Sequence, residues 1–176
     1  MANRSAVRYT DAVKPWLARF KYRGDERLKH LFVDMLESTY HRHYNPRSGS
    51  LSTQIDFLTY VPVSRERFEE RGFNQAQLLA EELGLRLRIP VVPTLLRSKH
   101  TGKQSYKTRE ARFEDLKDAF VIHPEAQKRI FTNLPYRPIC IVVIDDVYTT
   151  GSTLNHCAKV ISQHLPARVY GLTWAR

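Results

Sequence analysis

The residues best suited to chemistry lie in one stretch of the chain, from residue 139 to residue 153. An unbroken apolar segment, Ile139–Ile144, runs directly into two adjacent carboxylates, Asp145 and Asp146. Two residues later the chain offers four hydroxyls and a run of backbone amides, on Thr149, Thr150, Gly151, Ser152 and Thr153. This run precedes a predicted helix, whose N-terminal end would stabilise a phosphate dianion. The carboxylates would then lie within reach of vicinal hydroxyls on a sugar attached to that phosphate.

Each half of this pattern has an ordinary structural alternative. The carboxylates are typical of a helix cap or a solvated turn, and the hydroxyl-rich run is typical of an N-cap region. The ordered combination of apolar strand, acidic pair, small-residue loop and amphipathic helix is more specific, and it favours a ligand site. Gly151 permits a positive φ or a close approach by the ligand. The chain has no GxxxxGK[ST] or GxGxxG sequence, which disfavours a nucleoside-triphosphatase loop and a dinucleotide site.

Helical and extended segments alternate along the chain, and this alternation predicts how the acidic pair is positioned. Apolar spacing predicts helices around residues 13–20, 28–40 and 154–165, and another from an Asn74 N-cap to Gly84. Apolar and β-branched runs predict strands at 55–63, 89–92, 120–122, 139–144 and 169–174. Such alternation is typical of an α/β fold, a parallel β-sheet flanked by helices. Ligands bind these sheets at the carboxyl ends of the strands, where the acidic pair lies.

The stretch around the acidic pair resembles the phosphoribosyl pyrophosphate (PRPP) loop of type I phosphoribosyltransferases. The resemblance implies that Asp145 and Asp146 are the catalytic carboxylates and bind the ribose 2′- and 3′-hydroxyls, and that residues 149–153 cradle the 5′-phosphate. Mg²⁺ is then the expected cofactor, bridging pyrophosphate and ribose oxygens near this acidic pair, in part through water. The implied architecture is a single domain over 1–176, with a small N-terminal helical hood (1–50) and a mobile basic flap (97–112).

A second group of residues resembles the competence protein ComF/GntX family. It comprises Val61-Pro62-Val63, the RGFNQA sequence of residues 71–76, Leu96-Arg97, Thr101, Gln104 and Arg112, and the segment of residues 20–25. In the type I pattern the loop after an early strand binds the pyrophosphate, which implies this role for Val63, Ser64, Arg65, Arg67 and Arg71. The alternative is a surface arginine cluster paired at helical spacing with Glu66, Glu69 and Glu70, which would contribute little to stability.

The net charge of the chain is strongly positive, because 28 Lys and Arg face 18 Asp and Glu, giving +10. A local surplus lies at the predicted flap, whose basic residues are Arg97, Lys99, Lys103, Lys107, Arg109 and Arg112. This composition fits a flap that closes over a ligand, a disordered basic loop, or a nucleic-acid contact. If single-stranded DNA binds, Tyr106, Phe113 and Tyr148 are candidate stacking residues, although each is more often a packing residue.

The two cysteines, Cys140 and Cys157, are predicted to be buried and reduced, since they form neither a CxxC pair nor a metal-ligand set. Members of the ComF/GntX family usually carry an N-terminal four-cysteine zinc module, yet no cysteine precedes Cys140. Either the module was removed from this chain or this member lacks it, so zinc is not expected here. No apolar run reaches the roughly 18 residues of a membrane helix, and no signal segment follows Met1. We expect a cytoplasmic protein without membrane insertion.

The family resemblance implies a PRPP-binding protein associated with DNA uptake during natural competence. Such a protein would handle single-stranded DNA and have a competence helicase as partner. The alternative is a catalytically active, Mg²⁺-dependent phosphoribosyltransferase of nucleotide metabolism, whose nitrogen acceptor the sequence does not identify. A regulator that senses PRPP would have the same sequence features, so all three hypotheses stay open on the sequence alone.

Overall fold

The apolar segments assemble into a parallel sheet with helices on both faces. The computed structural model of the protein describes residues 1–23, 26–44, 54–98, 119–132 and 137–176. The strands are β1 Ala2–Val7, β2 Phe57–Tyr60, β3 Leu95–Arg97, β4 Phe120–Ile122, β5 Ile139–Val147 and β6 Ala167–Ala175. The helices are α1 Lys14–Arg23, α2 Glu26–His43, α3 Arg65–Arg71, α4 Gln75–Leu87, α5 Pro124–Thr132 and α6 Ser152–His164.

The main sheet has the strand order β1-β6-β5-β2, and each neighbouring pair is parallel. β5 lies between β2 and β6, and its apolar run Ile139–Ile144 is almost completely buried. A strand that is covered on both faces needs a continuous apolar run rather than an alternating one. This requirement explains why the sequence indicated β5 clearly, and the predicted α/β architecture is confirmed.

Side chains alternate along β5 and enter two separate cores. The even-numbered residues of 140–144 face α1, α2 and α4, in a core where Phe32 and Trp174 stack with ring centroids 3.9 Å apart. The odd-numbered residues of 139–143 face α5, α6 and the antiparallel pair β3–β4. The two carboxylates that follow this run are therefore expected to continue the alternation, one toward each layer.

The N-terminal segment differs from the predicted hood of residues 1–50. Residues 2–7 form the edge strand β1, which pairs in parallel with β6. Its polar side chains are used in this pairing: the amide nitrogen of Asn3 donates to the Thr173 hydroxyl at 3.2 Å, and the hydroxyls of Ser5 and Thr173 lie 2.7 Å apart. Because apolar alternation is weak in this segment, the sequence pattern did not indicate a strand.

The segment after β2 was predicted as a loop, but it forms the short helix α3. Ser64 caps this helix, and Gly72 ends it with φ 78°. α4 begins after Asn74 as predicted, with the side-chain oxygen of Asn74 accepting from two backbone amides. The helix nevertheless continues past Gly84. A Cβ at Gly84 would lie 2.8 Å from the carbonyl oxygen of Ile89. Glycine is therefore needed here because the backbone at Ile89 packs closely against α4, and it does not end the helix.

Other short elements were not indicated by the sequence. β3 and α5 were missed, and residues 89–92 form a single bridge between Leu58 and Val91 instead of the predicted strand. Cys140 and Cys157 are buried and carry no disulfide, which confirms that prediction. Within the described ranges, no helix combines the length and apolar content required to span a bilayer.

Candidate functional site

The acidic pair lies at the carboxyl end of β5, in the middle of the sheet. Asp145 is in register with Thr173 of β6, and the chain leaving β2 runs beside it, where the Val61 amide donates to the Ile144 carbonyl at 3.0 Å. The two side chains point to opposite layers, Asp146 toward α1 and Asp145 toward α6 and β3. The Asp146 amide donates to Oδ1 of Asp145 at 2.9 Å. The pair thus lies at the sheet edge where ligands of open α/β folds bind.

Lys21 of α1 forms an ion pair with this site. Its Nζ lies 2.7 Å from Oδ2 of Asp146, and the two side chains are only 23% and 15% exposed. Lys21 lies in the segment of residues 20–25 that resembles the ComF/GntX family, but its residue type and position predicted no role for it. A single lysine on an amphipathic helix carries no signal of its partner, because the contact depends on how α1 packs over the sheet.

Asp145 lies partly buried on the other side of β5. Burial raises the pKa of Asp145 well above that of a free aspartate, and the neighbouring charge of Asp146 raises it further. The positive charges of Lys21 and Arg67 act in the opposite direction with smaller effect. Burial, with the charge of Asp145, also raises the pKa of Cys157 on α6, so this thiol stays protonated. A carboxyl group perturbed in this way is typical of functional sites.

Arg97 was predicted in the flap, but it lies in β3 beside the acidic pair. Its guanidinium is 5.5 Å from the ring centre of Phe120 on β4. Burial lowers the pKa of Arg97, as does the charge of Arg67, while Cys157 and Asp145 act against them. Arg67 and Arg97 therefore place positive charge on the Asp145 side. The other predicted flap residues lie outside the described residues: Lys99, Lys103, Lys107, Arg109 and Arg112.

The predicted phosphate loop joins β5 to α6. Gly151 occupies the N-cap position of α6 with φ 77°, as the sequence allowed, and it offers no side chain to the first-turn amides. The hydroxyls of Thr150 and Ser152 lie 2.7 Å apart, and Thr149 and Thr150 are exposed. Thr153 is the second residue of α6 and is half-buried. The loop therefore combines a helix N terminus, exposed hydroxyls and a glycine, which together suit an anion.

Tyr148, a candidate stacking residue, packs within this loop. A Cβ on Gly151 would lie 2.6 Å from Cζ of Tyr148, so the ring lies directly against the glycine. The ring of Tyr148 also contacts Arg176, whose guanidinium lies 5.6 Å from the ring centre. Tyr148 thus supports the conformation of the phosphate loop. Tyr106 and Phe113 lie outside the described residues.

The residues predicted to bind pyrophosphate differ in whether they already have a partner within the protein. Val63 and Ser64 precede α3, and the Ser64 hydroxyl accepts from the Arg67 amide at 3.4 Å as its N-cap. Arg65 is 82% exposed and pairs with Glu69 at 2.6 Å, as the surface-cluster alternative predicted for this position. Arg67 instead lies close enough to Asp145 to affect the pKa of that carboxyl. Arg67 is therefore the better placed of the two for a bound anion.

Arg71 is held in place by two contacts. Its Nη1 donates to Oε1 of Gln75 at 3.0 Å, and its guanidinium lies 5.3 Å from the ring centre of Tyr22 on α1. Nε of Arg71 and Nε2 of Gln75 are both buried without a hydrogen-bond partner. Buried donors of this kind cost free energy unless an acceptor reaches them. Arg71 therefore has donor capacity available for a bound anion, while Gln75 was missed as a site residue because its contact is visible only in the fold.

The residues present fit a magnesium ion that takes most of its ligands from elsewhere. No cluster of three or more His, Cys, Asp or Glu side chains suited to a metal occurs in the part of the chain that the structure describes. Asp145 and Asp146 remain as two adjacent carboxylates. Mg²⁺ binds proteins through one or two carboxylates and keeps waters and substrate phosphates as its other ligands, so the acidic pair is compatible with it.

A cavity of about 430 Å³ lies away from the acidic pair, near the amino ends of β2 and β5. It is lined in part by Asp56, Arg86 and Pro90, and by none of the residues predicted to bind ligand. Asp56 has a structural role there: it accepts two hydrogen bonds from Arg137, at 2.7 and 2.8 Å, and one from the Cys140 amide at 2.8 Å. Asp56 therefore holds the start of β5 in place at this end of the sheet.

Comparison of sequences relates the chain to competence proteins. It is 35% identical to competence protein ComFC of Bacillus subtilis strain 168 over 161 residues, which cover 90% of this chain and 57% of that protein. It is 26% identical to competence protein ComFC of Streptococcus pneumoniae strain R6 over 170 residues, which cover 93% of this chain and 63% of that protein. The chain thus spans roughly three fifths of the length of these curated relatives. No protein-family model matches it.

Comparison of structures gives the fold independently. Adenine phosphoribosyltransferase from Thermoanaerobacter pseudethanolicus superposes with a TM-score of 0.50 over 86% of this chain and 69% of that chain, at 17% sequence identity. At this identity the likeness establishes the fold alone. The parallel sheet flanked by helices agrees with that fold. The chain is therefore similar in sequence to the ComFC competence proteins, and its fold is that of the type I phosphoribosyltransferases.

Proposed function

We propose that this protein binds PRPP, or a related phosphoribosyl ligand, at the carboxyl edge of the sheet and acts in DNA uptake. The observation that carries the proposal is the position of Asp145 and Asp146 directly before the loop at the N terminus of α6. A sugar phosphate needs acceptors for its vicinal hydroxyls and donors for its dianion within a few ångströms of each other. The end of β5 and the start of α6 offer these two sets of groups.

Each part of the ligand has a matching group in the site. The 5′-phosphate would bind residues 149–153, because a helix N terminus stabilises an anion. The ribose hydroxyls would donate to Asp145 and Asp146. The pyrophosphate would be held by the guanidinium groups of Arg67 and Arg71, which suit forked contacts with phosphate oxygens. When bound, Mg²⁺ would neutralise pyrophosphate charge and orient it.

The proposed connection with DNA uptake is supported by the relatives, which are named competence proteins. The chain also carries a net charge of +10, and such a surplus favours polyanionic partners. Single-stranded DNA is the partner that fits both features. Its binding would be dominated by phosphate contacts and would weaken steeply with salt. A competence helicase as partner stays a prediction of the family resemblance.

Catalysis is the second candidate function, and it is favoured by the raised pKa of the partly buried Asp145 carboxyl, a feature typical of functional sites. In that reaction a nitrogen nucleophile would attack ribose C1′ while the bond from C1′ to the pyrophosphate oxygen breaks. Pyrophosphate would leave with the bonding electrons, and the nucleophile would lose its proton to solvent. Arg67 and Arg97 would stabilise the charge that develops on the leaving group. Release of inorganic pyrophosphate from PRPP in the presence of nucleobases would distinguish an enzyme from a binding protein.

Calorimetric titration with PRPP tests the binding proposal directly. The double variant Asp145→Asn, Asp146→Asn should lose detectable affinity while its circular dichroism spectrum stays that of the parent protein. The matched control is Asp11→Asn with Asp34→Asn, which removes two carboxylates from surface ion pairs with Lys14 and Arg86, where their side chains are 96% and 61% exposed. Unchanged affinity in the acidic-pair variant would overturn the proposal. Equal loss in the control would attribute the effect to overall charge.

A further inference from the structure

The last turn of α1 brings a cation to the acidic pair. Lys21 pairs with Asp146 at 2.7 Å, with side chains 23% and 15% exposed. Lys14, in the first turn of the same helix, pairs with Asp11 at the same distance, but there the side chains are 52% and 96% exposed. Charges interact more strongly where water and salt are excluded. The inner pair is therefore an electrostatic feature of the site, and the outer pair is a matched surface example.

The position of Lys21 matters because the proposed ligand is an anion. The charged carboxylate of Asp146 at the rim of a phosphate site repels the dianion that the nearby loop attracts. The cations Arg67 and Arg97 lie on the Asp145 side of β5, where their charges act on that carboxyl or near it. Lys21 lies on the opposite side, in contact with Asp146. The acidic pair is thus flanked by positive charge from both layers.

We propose that Lys21 is the built-in counter-cation of the acidic pair, which allows the site to bind an anionic sugar phosphate without a divalent ion. This inference rests on the proposed function of the site. A divalent cation commonly offsets the charge between carboxylates and phosphate oxygens. A lysine ammonium fixed on Asp146 performs the same electrostatic task from the protein side.

The chemistry of the ammonium group allows Lys21 to do this while the sugar is bound. An ammonium has three donors, and the ion pair with Oδ2 of Asp146 uses one of them. A carboxylate has about four lone-pair sites, so Asp146 can accept from Lys21 and from a ribose hydroxyl together. Lys21 therefore need not leave when ligand enters, and its remaining donors can face ligand oxygens.

The test measures ribose 5-phosphate and PRPP binding by calorimetry, each in EDTA and again in millimolar MgCl₂. The variants are Lys21→Met, which keeps much of the aliphatic stem, and Lys21→Arg, which keeps the charge. Lys14→Met is the control, because it removes an ion pair of the same length from the same helix. Circular dichroism and thermal unfolding establish that each variant is folded. Magnesium dependence is the readout that a purely structural role of Lys21 would not change.

The expected result is that the parent protein and Lys14→Met bind ribose 5-phosphate in EDTA with an affinity within a few-fold of that in MgCl₂. PRPP should gain more from MgCl₂, because its pyrophosphate binds the ion. Lys21→Met should bind about tenfold more weakly in EDTA, and MgCl₂ should restore most of the loss. Lys21→Arg should resemble the parent protein. Equal magnesium dependence in the parent protein and Lys21→Met would overturn the inference and leave the proposed function standing. Absence of binding by the parent protein under both conditions would overturn both. If Lys21→Met fails to fold, magnesium-independent binding of ribose 5-phosphate by Lys21→Arg supports the inference, and a magnesium requirement of the parent protein for the same ligand overturns it.

Discussion

Arg71 and Gln75 are joined by a hydrogen bond of 3.0 Å from Nη1 to Oε1, and each keeps one buried nitrogen without a partner. The two residues belong to the same RGFNQA block, separated by the end of α3 and the start of α4. A bond of this kind fixes the plane of the guanidinium, which Tyr22 also contacts on α1. Gln75 is therefore placed to position Arg71 rather than to contact ligand itself.

Replacing Gln75 by methionine should separate stability from binding. Gln75 is 2% exposed, and methionine removes both its unpaired amide nitrogen, which favours the folded state, and the acceptor of Arg71 Nη1, which disfavours it. The melting temperature should therefore change little. Affinity for inorganic pyrophosphate should fall by about fivefold, because Arg71 loses the bond that orients it. Gln77→Met is the control on the same helix, since the Gln77 amide donates to Glu81 at the surface. A loss of stability without loss of affinity would show that Gln75 only packs.

Substituting asparagine for Asp145 and for Asp146 should change the melting temperature in opposite directions. The folded protein raises the pKa of Asp145 above the ordinary value of 3.8, so this carboxylate is less favourable in the folded state than in the unfolded chain. The cost is absent at low pH and grows as pH rises from that value toward the folded pKa. Asp145→Asn should therefore raise the melting temperature at pH 8 by about 2–4 °C, for a change of about 1 kcal/mol. The gain should disappear near pH 4.

Asp146→Asn should instead destabilise the protein, because Lys21 loses its counter-charge in a shielded position. Thermal unfolding of both variants across pH 4 to 8 checks the pair of predictions. A stabilising Asp146→Asn would contradict the importance of the ion pair. A pH-independent effect of Asp145→Asn would contradict the raised pKa.

Gly151 should tolerate substitution less well than Gly72, although the two have nearly equal φ angles of 77° and 78°. Alanine at either position costs about 1 kcal/mol for the left-handed backbone. At Gly72 a Cβ meets nothing within 4 Å, whereas at Gly151 it meets the ring of Tyr148. Gly151→Ala should therefore lower the free energy of unfolding by at least 1 kcal/mol more than Gly72→Ala.

A double-mutant cycle with Tyr148→Ala checks this assignment. If the clash with the ring causes the additional loss, Gly151→Ala should cost no more than Gly72→Ala in the Tyr148→Ala background. The free energies are measured by urea unfolding. A difference that persists without the ring would exclude Tyr148 as its cause.

Single-stranded DNA binding, if it occurs through the predicted flap, should depend on Lys99, Lys103 and Lys107. Reversing all three to glutamate should lower the affinity at least tenfold and reduce the slope of log affinity against log salt by about 2. Fluorescence anisotropy with a labelled oligonucleotide over a salt series measures both. The control reverses three exposed lysines elsewhere, Lys14, Lys128 and Lys159. Equal effects of the two triple variants would show that net charge alone matters, and the flap would lose its proposed role.

Local sequence patterns were sufficient for the central part of the fold. The apolar run of residues 139–144 indicated a strand buried on both faces, and the residues that follow indicated a loop entering a helix. These predictions succeeded because strand and helix periodicity, and the positive φ of Gly151, are properties of adjacent residues. β1 and β3 were missed because one is polar at the sheet edge and the other has only three residues.

The amino-acid pattern alone is enough to place Asp145 and Asp146 after a buried strand and just ahead of a helix N terminus. The cations that accompany them are visible only in the folded protein. Lys21 reaches Asp146 from α1, Arg67 and Arg97 act near Asp145 from α3 and β3, and Arg65 turns to Glu69 at the surface. The physical reason is that charge interactions depend on distance and burial in space. Both are set by how helices pack on the sheet, and one-dimensional spacing does not record that packing.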